Sequence, residues 1–200
     1  MGAAELAGSK RTYWNGSEVR GDQILASNPR QCVEDSYTTA YNLGCGKKKW
    51  DGWINVDLHS PVADMQCDLR KLEIDSNSAD AVAAIHVLEH FYAWEAQDLL
   101  TEWRRVLKPG GKMIIEVPCM DKVFAYIASC GNTKTPMMPF MTIFALWGDP
   151  KHKEPAMCHR WGYFHEELRS LLERVGMREI KSVDPRYHFA CRDMRFEAIK

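Results

Sequence analysis

The stretch Tyr41-Asn-Leu-Gly-Cys-Gly46 places two glycines, one residue apart, at the end of a short apolar run. This pattern predicts a strand that ends in a tight turn, because glycine adopts backbone angles that other residues avoid and lets a ligand approach the main chain closely. A dinucleotide-binding turn would carry a third glycine at the sixth position of G-x-G-x-x-G, where this chain has Lys49. The turn therefore predicts a ligand site and makes a nicotinamide or flavin oxidoreductase a less favoured interpretation.

From Thr38 onward, short apolar runs alternate with amphipathic stretches, which is typical of an α/β domain with a mostly parallel sheet. Two helices are predicted, because apolar residues recur at spacings of three and four and glycines follow them. The helices cover 93–107 and 166–175, and the candidate strands cover 38–43, 53–58, 63–67, 81–86, 112–117, 178–183 and 189–199. We expect one domain over residues 38–200, preceded by an irregular N-terminal arm over residues 1–37.

Residues 131–161 interrupt this alternation with an insertion that is rich in methionine and aromatic residues. Its large apolar side chains are those of Met137, Met138, Phe140, Met141, Phe144 and Trp147. Methionine adapts to varied apolar shapes and aromatic rings stack on flat or sugar-like groups, so the insertion could cover an acceptor as a lid. The same face could equally form the contact of a homodimer, and both interpretations stay open.

The composition is that of an ordinary globular protein, with 200 residues of which 46% are hydrophobic and 26% charged. These values exclude intrinsically disordered, collagen-like and coiled-coil proteins. The formal net charge of −1 gives no field that would attract a polyanion, so nucleic acid is not a favoured partner.

The seven cysteines are scattered along the chain and never form a C-x-x-C pair. This distribution is typical of free thiols in a reducing compartment and argues against a disulfide framework or a zinc knuckle, so no metal ligands are expected. No apolar run approaches the roughly 20 residues that cross a bilayer, and the N-terminus lacks a secretory pattern. We therefore expect a cytoplasmic protein with no membrane partner.

Two acidic residues follow candidate strands at positions that suit a nucleoside. Asp57 ends the segment Ile54-Asn-Val-Asp57, and a carboxylate beside a glycine turn can accept both hydroxyl hydrogens of a ribose. Asp68 lies in Cys67-Asp68-Leu69, where it could accept from an exocyclic amine such as that of adenine. Either acid, taken alone, could equally cap a loop.

Five segments of the chain, in this order, resemble the motifs of the class I S-adenosylmethionine-dependent methyltransferases. They are Asn42-Leu-Gly-Cys-Gly46, Asn55-Val-Asp57, Cys67-Asp68-Leu69, Ile85-His-Val-Leu-Glu-His-Phe91 and Arg105-Val-Leu-Lys-Pro-Gly-Gly111. The resemblance covers residues 38–118 and implies a Rossmann-like three-layer sandwich with a seven-stranded, mostly parallel sheet whose last strand is antiparallel. It also implies S-adenosylmethionine as the cofactor, lying across the carboxyl ends of the strands.

The resemblance gives each motif residue an expected role. Asp57 would bind the ribose and Asp68 the adenine, while His86 would line the cofactor through its backbone. The full set of cofactor-binding residues implied in this way is Gly44, Cys45, Gly46, Asp57, Leu58, Asp68, Leu69 and His86.

The connection after the glycine turn is unusually short. Asp57 follows Gly46 by only eleven positions, where many relatives have about twenty, so the first helix of the fold is predicted to be a loop around residues 47–50. The three lysines at 47–49 are interpreted as a solvated part of this loop. The short connection and the segment Gly52-Trp-Ile-Asn-Val-Asp57 resemble a branch of small methyltransferases often linked to sugar or polysaccharide pathways.

The sulfonium of S-adenosylmethionine is already an activated electrophile, so such an enzyme mainly aligns the nucleophile and excludes water. A hydroxyl acceptor must also lose a proton, and histidine is the usual base. Because both residues follow the candidate strand 81–86, His90 is predicted as the base and Glu89 as the group that orients it. His159 is the alternative base, and a packing role for His90 with a capping role for Glu89 stays open.

The sequence thus predicts a methyltransferase that acts on a small-molecule or sugar-containing acceptor, at oxygen. Methylation of RNA is not favoured, since residues 151–200 show no patterned basic face. The alternative is a non-catalytic S-adenosylmethionine-binding regulatory or scaffold protein.

Overall fold

The computed structural model describes residues 12–14, 17–19, 37–131, 138 and 141–200. Most of the N-terminal arm predicted over residues 1–37 lies outside these described residues. Within the arm, strands β1 (Thr12–Trp14) and β2 (Ser17–Val19) pair as an antiparallel hairpin.

The remaining strands form one six-stranded sheet. They are β3 (Ala40–Leu43), β4 (Ile54–Val56), β5 (Ala79–Ile85), β6 (Leu107–Pro118), β7 (Arg178–Val183) and β8 (Asp193–Ile199). Their spatial order is β4-β3-β5-β6-β8-β7. The pairs β3–β4, β3–β5 and β5–β6 are parallel, whereas β8 runs antiparallel to both β6 and β7. The predicted mostly parallel sheet with an antiparallel last strand is confirmed.

One predicted strand, over residues 63–67, is reduced to a single bridge. Met65 pairs with Val56 in parallel, but turns at 61–62 and 69–70 leave no length for a ladder. The side chain of Asp64 accepts hydrogen bonds from both the backbone and the side-chain amide of Asn55, at 2.9 and 2.8 Å. The sheet therefore has six strands within the described residues, where the sequence predicted seven.

In the described part of the chain, four α-helices connect or flank the strands. They are α1 (Ala96–Val106), α2 (Met120–Gly131), α3 (Ile143–Trp147) and α4 (His165–Arg174). Single 3-10 turns lie at Leu88–His90, Ala93–Glu95 and Pro155–Met157. No helix lies between β3 and β4, which confirms the loop predicted there.

The apolar side chains alternate between the two faces of the sheet, as the pleat of a strand requires. On one face, Val82 of β5 packs with Trp103 of α1 and Leu168 of α4 in the main core. On the other face, Ala81 and Ala83 of β5 join a smaller cluster with Trp53. None of the helices in the described part of the chain has the length and apolar composition needed to cross a membrane.

Candidate cofactor and acceptor site

The glycine turn after β3 is closed by the strand beside it. The backbone amides of Gly44 and Cys45 both donate to the carbonyl of Val56, at 2.8 and 3.1 Å. Gly44 has φ +69° and Gly46 has φ +54°, in the left-handed region that favours glycine. A Cβ on Gly44 would also lie 2.6 Å from Cγ2 of Val87, so this glycine allows the turn to pack against the residue that follows His86.

Asp57 joins this turn to the loop after β4. Its Oδ2 accepts from the backbone amide of Gly46 at 2.9 Å, and its Oδ1 accepts from the amides of His59 and Ser60, both at 2.9 Å. The side chain is half-buried, and a carboxylate offers about four lone-pair positions, so acceptor capacity remains for a ligand. The predicted loop-capping role of Asp57 is present in the structure, and it leaves room for the ribose-binding role.

Asp68 lies near the surface in a charged network. Its Oδ1 accepts from the backbone amide of Arg70 at 2.9 Å, and the Arg70 guanidinium lies 3.3 Å from its carboxylate oxygens. The same guanidinium donates to Glu95 at 2.8 Å, in the 3-10 turn before α1. Of the two neighbouring leucines, Leu69 is buried and Leu58 is 44% exposed.

The lysine loop is exposed, as predicted. Lys49 forms an ion pair and a hydrogen bond with Asp64. The hydrogen bond from Lys49 has the largest effect on the pKa of Asp64, and together with the hydrogen bonds from Asn55 it lowers that pKa to about 2. Lys47 and Lys48 are exposed. Cys45 is buried, and burial raises the pKa of its thiol, so it is a packing residue rather than a nucleophile.

His86 follows β5 and lies between two buried carboxylates. Its backbone has φ +53°, which is uncommon outside glycine, and its amide donates to the Glu116 carbonyl at 2.7 Å. Its Nδ1 lies 2.9 Å from Oε1 of Glu89, and its Nε2 lies 3.2 Å from Oδ2 of Asp193. Burial alone would lower the pKa of His86, but these two carboxylates together outweigh it and raise the pKa to about 9. His86 is therefore a cation at neutral pH.

Glu89 is almost fully buried, with 1% of its side chain exposed. Burial raises its pKa, but the nearby histidines, His86 above all, reverse that effect and lower the pKa to about 2. Its contact with His86 is an ion pair that lacks hydrogen-bond geometry, and neither carboxylate oxygen accepts a hydrogen bond within the described part of the chain. Glu89 is therefore a buried anion that His86 contacts at Oε1, while Oε2 has no partner within the described part of the chain.

The two candidate bases, His90 and His159, lie side by side. Their rings are 4.9 Å apart and nearly perpendicular. Nδ1 of His90 lies 3.2 Å from the Cys158 carbonyl, and Nδ1 of His159 lies 2.9 Å from the Ala145 carbonyl. A carbonyl can only accept, so each Nδ1 donates, and in the neutral ring Nε2 is the nitrogen that carries the lone pair. Burial lowers the pKa of His159, which keeps its ring neutral.

A backbone connection brings the insertion to the end of β5. The amides of Arg160 and Trp161 both donate to the carbonyl of Glu89, at 2.7 and 3.3 Å. His159, which directly precedes these residues, is thereby placed beside Glu89 and His90. Met137 and Phe140 lie outside the described residues, while Met141 is buried and Trp147 is 61% exposed; the lid and dimer interpretations of the insertion both stay open.

Two further site residues, His188 and Asp193, were not singled out in the sequence. The His188 ring lies 4.1 Å from that of His86, and its pKa is lowered to about 3 by burial and then by the positive charge of His86. Asp193 accepts from His86, from the backbone amide of Phe189 at 3.0 Å and from the guanidinium of Arg192 at 3.0 Å. Asp193 begins β8, and only the antiparallel return of that strand places it beside the end of β5.

The site residues thus form two groups at neighbouring strand ends. One group is the glycine turn with Asp57, and the other is the histidine and carboxylate cluster that begins at His86. Because β3 and β5 are adjacent and parallel, both groups lie at the carboxyl edge of the sheet, where ligands of open α/β sheets bind. The packing of Gly44 against Val87 joins the two groups directly.

Residues 43–115 match a family described as "Methyltransferase domain". The chain is also similar to the tRNA (carboxymethyluridine(34)-5-O)-methyltransferase of Mus musculus. The two sequences are 31% identical over 100 residues, and the matched region covers 42% of this chain. The chain spans only 15% of the length of that relative. Because this relative is a tRNA methyltransferase, the expectation that nucleic acid is not a favoured partner is unsupported.

Solved structures of S-adenosylmethionine-dependent methyltransferases have a similar fold. One, a possible histamine N-methyltransferase from Thermotoga maritima, has a TM-score of 0.56 at 14% identity and covers 87% of this chain and of its own. An Archaeoglobus fulgidus methyltransferase has a TM-score of 0.54 at 15% identity, covering 81% of this chain and 86% of its own. The 1,6-didemethyltoxoflavin-N1-methyltransferase of Burkholderia thailandensis, bound to S-adenosylhomocysteine, has a TM-score of 0.52 at 15% identity, covering 81% of this chain and 70% of its own. At these identities the similarity shows a common fold.

Proposed function

We propose that this chain, which carries a class I S-adenosylmethionine-dependent methyltransferase domain, binds S-adenosylmethionine and transfers its methyl group to a hydroxyl oxygen of a small-molecule or sugar-containing acceptor. The observation that carries the proposal is the bond between Asp57 and the backbone amide of Gly46. It holds a carboxylate with spare acceptor positions beside a glycine turn, at the sheet edge where this fold binds its ligand.

The cofactor would extend from the glycine turn toward the loop after β4. Gly44, Cys45 and Gly46 would face its methionine end through their main chain, and His86 would line it from β5. The ribose hydroxyls would donate to Asp57, with Leu58 beside them. The adenine amine would donate to Asp68, and the buried Leu69 supports that loop.

The acceptor would enter on the side of the histidine cluster. When bound, S-adenosylmethionine would supply a methyl group activated by its sulfonium, which would become a neutral thioether as the C–S bond breaks and the new O–C bond forms. The hydroxyl proton would pass to Nε2 of His90, the nitrogen that carries the lone pair in the neutral ring whose Nδ1 is held by the Cys158 carbonyl. Glu89 contributes negative charge beside His90, and the more deeply buried His159 is the alternative base.

A calorimetric titration with S-adenosylhomocysteine, with NAD titrated in parallel, tests the cofactor assignment. We expect micromolar binding of S-adenosylhomocysteine and none of NAD. Binding of NAD alone, or of neither compound, would overturn the assignment.

A nucleic-acid acceptor is the second candidate, favoured by the similarity to the mouse tRNA methyltransferase. Methyl transfer from isotopically labelled S-adenosylmethionine to hydroxylated sugars and to total tRNA, in separate reactions, distinguishes the two acceptor classes. Label in the sugars supports the first candidate, and label in tRNA supports the second. Tight cofactor binding without transfer to any acceptor favours the non-catalytic regulatory or scaffold alternative.

The proposed location is the cytoplasm. All six cysteines within the described residues are free thiols, which is typical of a reducing compartment. A homodimer formed through the insertion stays a proposal, supported by the exposed side chains of Ile143 and Trp147.

A further inference from the structure

We propose that Glu89, His90 and His159 bind a first-row divalent cation, such as Zn²⁺ or Mn²⁺, at the acceptor side of the site. Each of these residues offers one ligand atom, and the three atoms all lie within 4.8 Å of one another. The sequence did not predict this site, because its three residues follow no contiguous metal-binding spacing.

The first argument is the orientation of the two imidazoles. Both rings are held through Nδ1 by backbone carbonyls, those of Cys158 for His90 and Ala145 for His159. This arrangement is the usual support of metal-binding histidines, because it sets the tautomer and leaves Nε2 as the ligand atom. Nε2 of His159 lies 4.0 Å from Oε1 of Glu89.

The second argument is the state of Glu89. Only 1% of its side chain is exposed, yet neither of its oxygens accepts a hydrogen bond within the described residues. A buried carboxylate normally has its lone pairs satisfied, so a carboxylate left open beside two free imidazole nitrogens points to a missing ligand. His86 lies beside Oε1 and balances the charge, while Oε2 has no partner.

A second cluster of possible ligands, His86, His188 and Asp193, is a weaker candidate. The carboxylate of Asp193 already accepts hydrogen bonds from His86, from a backbone amide and from Arg192. A cation there would have to displace a guanidinium and an imidazolium, whereas Oε2 of Glu89 has no partner to give up. The open carboxylate therefore selects the cluster of Glu89, His90 and His159.

The donor set also selects the kind of ion. Two imidazoles and one carboxylate suit a borderline cation such as Zn²⁺, and the carboxylate and open positions also suit Mn²⁺, whereas Mg²⁺ and Ca²⁺ prefer oxygen ligands throughout. Metal–nitrogen and metal–oxygen bonds of about 2.1 Å place neighbouring ligands roughly 3 to 3.5 Å apart, so binding would draw these side chains together by about 1 Å. The bonds from the Arg160 and Trp161 amides to the Glu89 carbonyl limit this movement to side chains.

The role of the ion rests on the proposed function, although its binding does not. Three protein ligands leave coordination positions open for an acceptor hydroxyl, whose pKa a bound cation lowers. With the ion bound, the Nε2 lone pair of His90 would be used for the ion, so this role would replace the base role of His90 in the proposed function and the hydroxyl proton would pass to water. The acceptor class would then be a compound that presents a metal-binding hydroxyl toward the methyl group.

The test uses the full chain without an affinity tag, after removal of metal with EDTA. Calorimetry with Zn²⁺, Mn²⁺ and Mg²⁺ should give one site per chain for the first two ions and none for Mg²⁺. The absorption spectrum with Co²⁺ should show the d–d bands of a nitrogen- and oxygen-ligated ion.

Variants then locate the ion. His159→Asn and Glu89→Gln should each weaken binding by about tenfold or more, while His152→Asn, which removes an exposed histidine elsewhere, should leave it unchanged. Circular dichroism identifies any variant that fails to fold, and the Co²⁺ spectrum of the unaltered chain does not depend on the variants.

No stoichiometric binding, or binding lost in His188→Asn but kept in His159→Asn, would overturn the proposal. The same metal-free protein is titrated with S-adenosylhomocysteine, so failure of the metal site is distinguished from failure of the proposed function.

Discussion

At the residue scale, Gly44 is subject to two constraints, of which Gly46 shares only one. Both glycines have positive φ, but only at Gly44 would a Cβ meet a neighbour, Cγ2 of Val87 at 2.6 Å. Val87 is buried at the end of β5 and cannot swing away freely. Substituting Gly44 and Gly46 separately therefore distinguishes the effect of backbone conformation from the effect of close packing.

We expect Gly46→Ala to lower the free energy of unfolding by about 1–2 kcal/mol, because alanine is strained in the left-handed region. Gly44→Ala should lose about 1–3 kcal/mol more, because its methyl group is forced against Val87. Urea unfolding of the two variants measures the difference. Equal losses would show that the turn can move away from β5.

Asp57 is the residue whose change most directly probes the cofactor. Asp57→Asn keeps one acceptor oxygen but loses the charge and places an amide group near the Gly46 amide. Affinity for S-adenosylhomocysteine should fall by about 1–3 kcal/mol, as expected for a hydrogen bond to a charged group. Calorimetry of this variant beside Asp51→Asn, an exposed acid in the preceding turn, measures the effect. Unchanged affinity in Asp57→Asn would show that the ribose binds elsewhere.

At the element scale, α1 supports the loop that carries Asp68. Trp103 is fully buried on the apolar face of α1, and its indole Nε1 donates to the Leu69 carbonyl at 3.0 Å. The helix was predictable from its apolar spacing, but this bond to the loop was not. The bond makes the position of the adenine-side loop depend on the packing of a helix that does not contact the proposed cofactor.

We expect Trp103→Phe to lower the free energy of unfolding by about 1–3 kcal/mol, because it leaves the buried Leu69 carbonyl without its donor. The matched change Trp94→Phe alters a ring that is 74% exposed and should stay within about 0.5 kcal/mol of the parent chain. Urea denaturation reports both values. Equal stability of the two variants would show that the indole bond contributes nothing.

At the scale of the whole molecule, His86 connects two segments of the domain that are far apart in the sequence. It lies 107 residues before Asp193, and their contact ties the end of β5 to the start of β8. The same imidazolium balances the buried charge of Glu89. Because both buried carboxylates contact this cation, the stability of the domain should depend on the charge of His86.

The sign of this dependence follows from the raised pKa. His86 has a pKa of about 9 when folded, against about 6.5 for an unfolded histidine. Its contribution is therefore fully present below about pH 6.5 and is lost as the pH rises through about 9, by up to about 3 kcal/mol. Unfolding free energies measured from pH 6 to pH 10 should show this loss.

The matched variant is His86→Asn, because asparagine tolerates the left-handed backbone of this position. It should be less stable than the parent chain at pH 6 by about 3 kcal/mol, and its stability should fall less between pH 6.5 and pH 9. His152→Asn serves as the control and should keep the parental profile. Parallel pH profiles for the parent chain and His86→Asn would contradict a charged His86.

The sequence by itself determined the local features of this protein. The apolar spacing of α1, the alternation of buried residues in β5 and the glycine turn after β3 were all legible, because each depends on residues a few positions apart. The right-handed βαβ connection and the burial of parallel strands then determine the fold class and the edge of the sheet where a ligand binds.

The tertiary structure alone decided how the acceptor side is assembled. His159 and Asp193 reach Glu89 and His86 only through the backbone bonds of the insertion and the antiparallel return of β8. It also reduced the strand predicted over 63–67 to one bridge, since Asp64 turns toward Asn55. Contacts across such separations leave no periodic pattern in the chain, because they depend on how completed elements pack rather than on which residues are neighbours.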